Sequence, residues 1–160
     1  MGKIKEVIPY IIILLVVILL RTFVITPVMV NGPSMNDTLR HNQIILLKKY
    51  DNTYSRNEVV VFRHNDTQLV KRVIGLPGET VEYKDGVLYI NNIVVEDKFS
   101  KATADFDLSM IDMEIIPQGY YFVLGDNRSN SQDSRAIGLI SKERIVGTSS
   151  FSLWPIGKIR

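Results

Sequence analysis

The stretch TVEYKDGVLYINN, residues 80–92, holds two runs of branched and aromatic residues on either side of Asp85 and Gly86. An Asp-Gly pair between two such runs favours a type I′ turn, because glycine adopts positive φ without a Cβ clash. Residues 80–84 and 87–90 therefore predict a β-hairpin, with Asn91 and Asn92 as the next tight turn. The same texture recurs outward along the chain, in QIILLKK from Gln43, EVVVFR from Glu58, QLVKRVI from Gln68, YYFVLG from Tyr120 and the stretch from Ile145 to Leu153. Each run is short and closed by turn residues, which reads as a mostly β fold. Between Glu96 and Pro117 no clean alternation survives, and that segment reads as an excursion from the sheet.

Upstream lies a different pattern. VIPYIIILLVVILL, from Val7 to Leu20, carries no charge, and apolar residues resume after Arg21 and Thr22. Counted from Val7 to Thr26 the block has 20 residues, which as a helix spans roughly the 30 Å hydrocarbon core of a bilayer. Pro9 falls in the first turn, where its missing donor matters little, and Arg21 near the other end can snorkel to the headgroups. A cleaved export signal needs small residues at its cleavage site, whereas RTFVITPVMV from Arg21 holds neither alanine nor glycine. The block thus predicts an uncleaved single-pass anchor. Lys3 and Lys5 assign the amino-terminal side to the cytoplasm. Residues 1–27 read as a cytoplasmic stub with its membrane anchor, and residues 28–160 as one domain on the extracytoplasmic face of the cell membrane.

Of the 160 residues, 46% are hydrophobic and 22% charged, which fits one packed core and excludes disorder. Cysteine is absent, so disulfides, thiolate zinc sites and cysteine nucleophiles are excluded. Lys3, Lys5 and Arg21 less Glu6 account for the whole net charge of +2, leaving 16 basic against 16 acidic residues beyond residue 27. That balance argues against nucleic acid as a partner. His41 and His64 stand in polar surroundings with no second histidine at ligand spacing. They read as surface residues, so no metal site is expected and a serine mechanism needs a base other than histidine.

Three strings carry chemistry. In VNGPSMNDTL, from Val30, Gly32 and Pro33 can fix a turn that presents the Ser34 hydroxyl and amide to a carbonyl, although most serines in turns only bond locally. Met35 is apolar and would pack inward or bury at the membrane surface. In QLVKRVIGLPGE, from Gln68, strand alternation puts Lys71 on the face of Leu69 and Val73, and Arg72 on the other. Desolvation there would lower the lysine pKa toward values at which the amine serves as a base, while the plain alternative is a lysine whose stem covers apolar surface. In GDNRSNSQDSR, from Gly125 to Arg135, aspartates and arginines at short spacing suggest charge-assisted bonds that lock a loop. Ser131 or its neighbours could orient a neutral lysine.

Together, in this order and behind one anchor, the three strings resemble the type I signal peptidases, the membrane-bound serine proteases that remove export signals. The resemblance covers most of the chain. It implies a signal-peptidase-like β-sheet or barrel catalytic domain behind one transmembrane helix, with Ser34 as nucleophile and Lys71 as base. It implicates Asp126, Ser131, Asp133 and Arg135 in supporting the lysine and the loop. It also implies no cofactor, the signal peptides of exported preproteins as substrates, and small residues just before the cut bond and two positions earlier. Met35 is the candidate wall of the pockets for those residues. Lys71, where the endoplasmic-reticulum and archaeal branch has histidine, resembles bacterial members, and the short chain with one anchor resembles the Gram-positive ones. Two departures stand out. Asp37 replaces the usual proline, and Gly32 stands where some relatives carry a serine whose hydroxyl completes the oxyanion hole, which leaves the Ser34 amide as the secure donor. The rival readings are a self-cleaving Ser/Lys protease like the SOS-response repressors, and a catalytically inactive anchored β domain that binds exported peptides.

Overall fold

The computed structural model describes residues 2–23, 25–49 and 53–159. Helix α1 (Gly2–Phe23) is followed at once by strand β1 (Ile25–Met29), then β2 (Ile44–Lys48), β3 (Val59–His64) and β4 (Thr67–Gly75). After these come β5 (Val81–Lys84), β6 (Val87–Ile90), β7 (Ile93–Val95), β8 (Phe106–Asp107), β9 (Tyr120–Leu124), the short helix α2 (Ser134–Ile137), β10 (Ile140–Ser141), β11 (Ile145–Trp154) and β12 (Ile156–Lys158).

The described side chains of α1 are those of residues 6–18, all exposed. Lys3, Lys5 and Arg21 have side chains outside the described part. Among the described residues no helix is long and apolar enough to cross a membrane. The helix also ends earlier than the apolar block does, since Ile25 and Thr26 pair with Lys48 and Leu47 as the start of β1. Pro27 explains the change, because it has no donor for a helix and disfavours helical backbone in the residue before it. The proline is tolerated in β1, an edge strand that pairs only with β2.

Two sheets make up the rest. The larger has eight strands in the order β1-β2-β11-β3-β4-β9-β10, with β12 paired to β11, and the smaller has the order β7-β6-β5-β8. Neighbouring strands run antiparallel in both. The central strands of the large sheet are covered on both faces. In β3, Val59 and Val61 join the cluster of Val30, Met35, Leu39 and Ile45, whereas Val60 and Phe62 join that of Val73, Tyr121 and Val123 on the opposite face. A third cluster joins the two sheets, where Phe106 of β8 stacks on Phe122 of β9 at 5.1 Å between ring centroids.

All seven expected runs are strands, and both expected turns occur, with positive φ at Asp85, Gly86, Asn91 and Asn92. The segment from Glu96 to Pro117 is largely irregular, with two short 3₁₀ turns at Ser100–Ala102 and Leu108–Ile111. It is not wholly outside the sheets, because buried Phe106 pairs with Tyr83 and adds β8 to the small sheet.

Candidate active site

Strand β4 is the centre of the site. Lys71 lies opposite Val60 in the β3–β4 register, and directly opposed residues of an antiparallel pair share a face. The apolar side chains of Val60 and Val73 on that face leave Lys71 only 1% exposed. Ser34 arrives from a different part of the chain, in a turn closed by bonds from Asn36 N to Pro33 O and from Leu39 N to Met35 O. Lys71 Nζ and Ser34 Oγ are 2.6 Å apart, in hydrogen-bond contact. Burial is the largest influence on the Lys71 amine and pulls its pKa down. The negative charges of Asp133 and Asp126 push back, and the net value falls from 10.5 to about 8.

The third string closes over this pair. Because Arg72 of β4 pairs with Leu124 of β9, the loop that follows β9 begins beside β4. Asp126 there takes two charge-assisted bonds from buried Arg72, 2.8 Å from Nε and 2.6 Å from Nη2. Asn127 then holds the serine turn directly, its amide donating to Ser34 O at 3.0 Å and its side-chain Nδ2 to Pro33 O at 3.2 Å. Asp133 caps α2, accepts from Gly125 N at 3.0 Å and pairs with Arg135. Gly125 is the tight point of this loop. A Cβ built on it would lie 2.5 Å from Ser34 O and 2.2 Å from Ser131 Oγ, so no other residue fits without moving the serine turn.

Asp126 and Asp133 are thus in the loop that packs on Ser34, and Arg135 lies in the first turn of α2 beside it. Ser131 Oγ lies beside Gly125 and is a buried hydroxyl without a hydrogen-bond partner among the described residues. Gly32 has φ +88 and open space where a side chain would stand, and its amide donates to His41 Nδ1 at 3.1 Å. Met35 is 1% exposed and packs inward in the cluster of Val30, Leu39 and Ile45. Asp37 has φ 82, which a proline ring cannot adopt. His41 is exposed, whereas His64 is half-buried with its Nδ1 2.9 Å from Arg144 Nη2.

Sequence reasoning assigned no role to Arg72, Asn127, Arg128 or Asp97. A signal for Arg72 was present: two aspartates in the third string need cationic partners, and only one arginine within that string ends up on one of them.

The family model described as signal peptidase, peptidase S26, matches residues 4–154. Signal peptidase I S of Bacillus subtilis is 38% identical over 89% of this chain and 84% of its own length. Signal peptidase IB of Staphylococcus aureus is 35% identical over 86% of this chain and 82% of its own. In three dimensions the chain resembles the crystal structure of a signal peptidase I from Enterococcus faecalis, with a TM-score of 0.57 and 37% identity. The match covers 60% of this chain and 96% of that one. Fold and relatives define a hydrolase of the serine-peptidase class. Within that class the chain belongs to peptidase family S26, the signal peptidases, of type I.

Proposed function

We propose that the chain cuts signal peptides from exported preproteins with a Ser34/Lys71 dyad while held at the cell membrane by residues 1–27. The observation that carries the dyad is the 2.6 Å contact between Ser34 Oγ and a buried lysine amine. In the reacting form neutral Lys71 takes the Ser34 proton as Oγ bonds to the scissile carbonyl carbon. The Ser34 amide donates to the resulting oxyanion. Collapse breaks the C–N bond and the Lys71 proton leaves with the amine. Neutral Lys71 then deprotonates water, which hydrolyses the ester and restores Ser34. Ser131 Oγ, buried and without a partner among the described residues, supports the lysine in the reacting form, and the charge pairs of Asp126 and Asp133 hold the loop. No metal or cofactor enters these steps.

Apolar surface supports the membrane side of the proposal. The described side chains of α1 between Val7 and Ile18 are exposed, and a second exposed apolar group lies on the large sheet. Met29 and Trp154 both pair with Ile44, and Trp154, 70% exposed, adjoins Ile156 at 78%. A tryptophan with aliphatic neighbours suits the headgroup boundary. The domain after residue 27 then faces outward with its active site close to the bilayer. Protease added to wall-stripped intact cells is expected to cut within residues 96–117. Protection there, with cutting only in inside-out vesicles, would reverse the orientation.

The test of the function is a reporter preprotein. Clean cleavage at the end of its signal peptide is expected, and binding without cleavage would favour the inactive-domain reading. Replacing the small residue before the cut bond, or the one two positions earlier, with phenylalanine is expected to reduce kcat/KM by at least about 100-fold. A substrate lying as an added strand points both residues the same way. Equal rates would show that the pockets are not small.

A further inference from the structure

We infer that Asp97 is a positioning residue for the reaction, through which the small sheet holds Arg128 and Arg128 holds the backbone beside Ser34. The inference rests on the reading of Ser34 and Lys71 as the reacting pair. Asp97 follows β7 at the start of the segment that leaves the sheet, and it is buried. Arg128 belongs to the third string, 31 residues away along the chain, and is 3% exposed. Their charge pair is bidentate, 2.6 Å from Nη1 to Oδ2 and 3.0 Å from Nη2 to Oδ1. Tyr83 of β5 donates its hydroxyl to Asp97 Oδ2 at 2.7 Å, and Arg128 Nη1 donates to Thr103 Oγ1 at 2.6 Å.

The remaining guanidinium donor points toward the site. Arg128 Nε donates to Gly125 O at 2.9 Å, and Gly125 is the residue with no room between Ser34 O and Ser131 Oγ. Arg135 meanwhile donates to Arg128 O at 2.7 Å. The planar fork of arginine thus spans two bodies, its Nη side on the small sheet and its Nε on the loop that clamps Ser34. A lysine can keep the charge but cannot bridge both partners in fixed geometry. Burial alone would push the Asp97 carboxyl up. The hydrogen bonds and charge of Arg128 more than offset this and hold it below the ordinary carboxylate range, so the pair is charged at working pH. Loss of the tie frees Gly125 to shift, and misplacement of a reacting group by an ångström is enough to cost rate.

The experiment uses the full chain with Asp97→Asn, Arg128→Lys and a control, Leu88→Ala, which opens the small-sheet core opposite Tyr83 but removes none of the polar groups of the tie. Kinetics on a preprotein and hydrogen exchange at the Gly125 and Asn127 amides are read below each variant's melting temperature. Both tie variants are expected to lose about 10- to 100-fold in kcat with KM within about twofold, and to exchange faster at these amides. Leu88→Ala is expected to keep near-normal kcat despite its lower melting temperature. Unchanged kcat in a folded Arg128→Lys, or an equal kcat loss in Leu88→Ala, would overturn the inference. If Ser34→Ala still cuts while Asp97→Asn speeds exchange at Gly125, the dyad fails and the tie stands.

Discussion

Ser34→Ala and Lys71→Ala are each expected to lower kcat/KM on a preprotein by at least about 10⁴-fold, and the double variant is expected to be hardly worse than either. Among the described residues Ser34 Oγ has one basic group within bonding distance, the Lys71 amine at 2.6 Å. His41 is engaged with the Gly32 amide and His64 with Arg144. Without Lys71 the hydroxyl keeps its proton, and without Ser34 the amine has no nucleophile to activate, so the two losses are one loss. Neither substitution removes a charge pair that holds the loop, because Asp126 and Asp133 are bonded to Arg72 and Arg135. Both variants should therefore fold, which circular dichroism checks. Substantial cleavage by either purified, folded variant would remove it from the mechanism.

How much of this was readable in the sequence depends on how local the cause is. The Asp85-Gly86 hairpin was legible because the turn and both its strands lie within a dozen residues, and the physics of positive φ needs no distant partner. The face of Lys71 was legible for the same reason, since alternation along β4 puts it with Val73. The short strands β7, β8, β10 and β12 were not legible. Two or three residues carry no period, and Phe106 and Ile140 become strand residues only because a neighbouring strand accepts them. β1 was hidden for a different reason. Its Ile25 and Thr26 continue the hydrophobic composition of α1, and composition cannot mark where a helix gives way to an edge strand, although Pro27 could have.

The site divides in the same way. The serine turn, the strand lysine and the charged loop were each visible as strings, and the resemblance supplied their roles. What the strings did not contain was the partner of each charge. Arg72 and Asp126 are separated by 54 positions, and Asp97 sits in the segment with the least pattern, so its bond to Arg128 exists only in the folded arrangement. Met35 shows the opposite limit. Its apolar character predicts burial, and it is buried, but nothing in that character tells a core plug from a pocket wall.

The pH dependence follows from the same burial. Lys71 acts as a base only when neutral, and its pKa is drawn down to about 8 by desolvation against the opposing charges of Asp133 and Asp126. Protonation below that value removes the active form, so kcat/KM should rise with pH along a limb centred near 8 and level off above it. Between pH 6 and pH 8 the rise should be about 50-fold, the change in neutral fraction for one group with that pKa. Arg72 on the opposite face is neutralised by Asp126 at 2.6 Å, so desolvation rather than like-charge repulsion sets the limb. A histidine base would instead place the limb near its unperturbed value of about 6.5. Lys71→His tests this directly, because whatever activity survives should follow a limb displaced toward acid by more than about one pH unit. Activity retained with the limb still near 8 would show that another group takes the Ser34 proton.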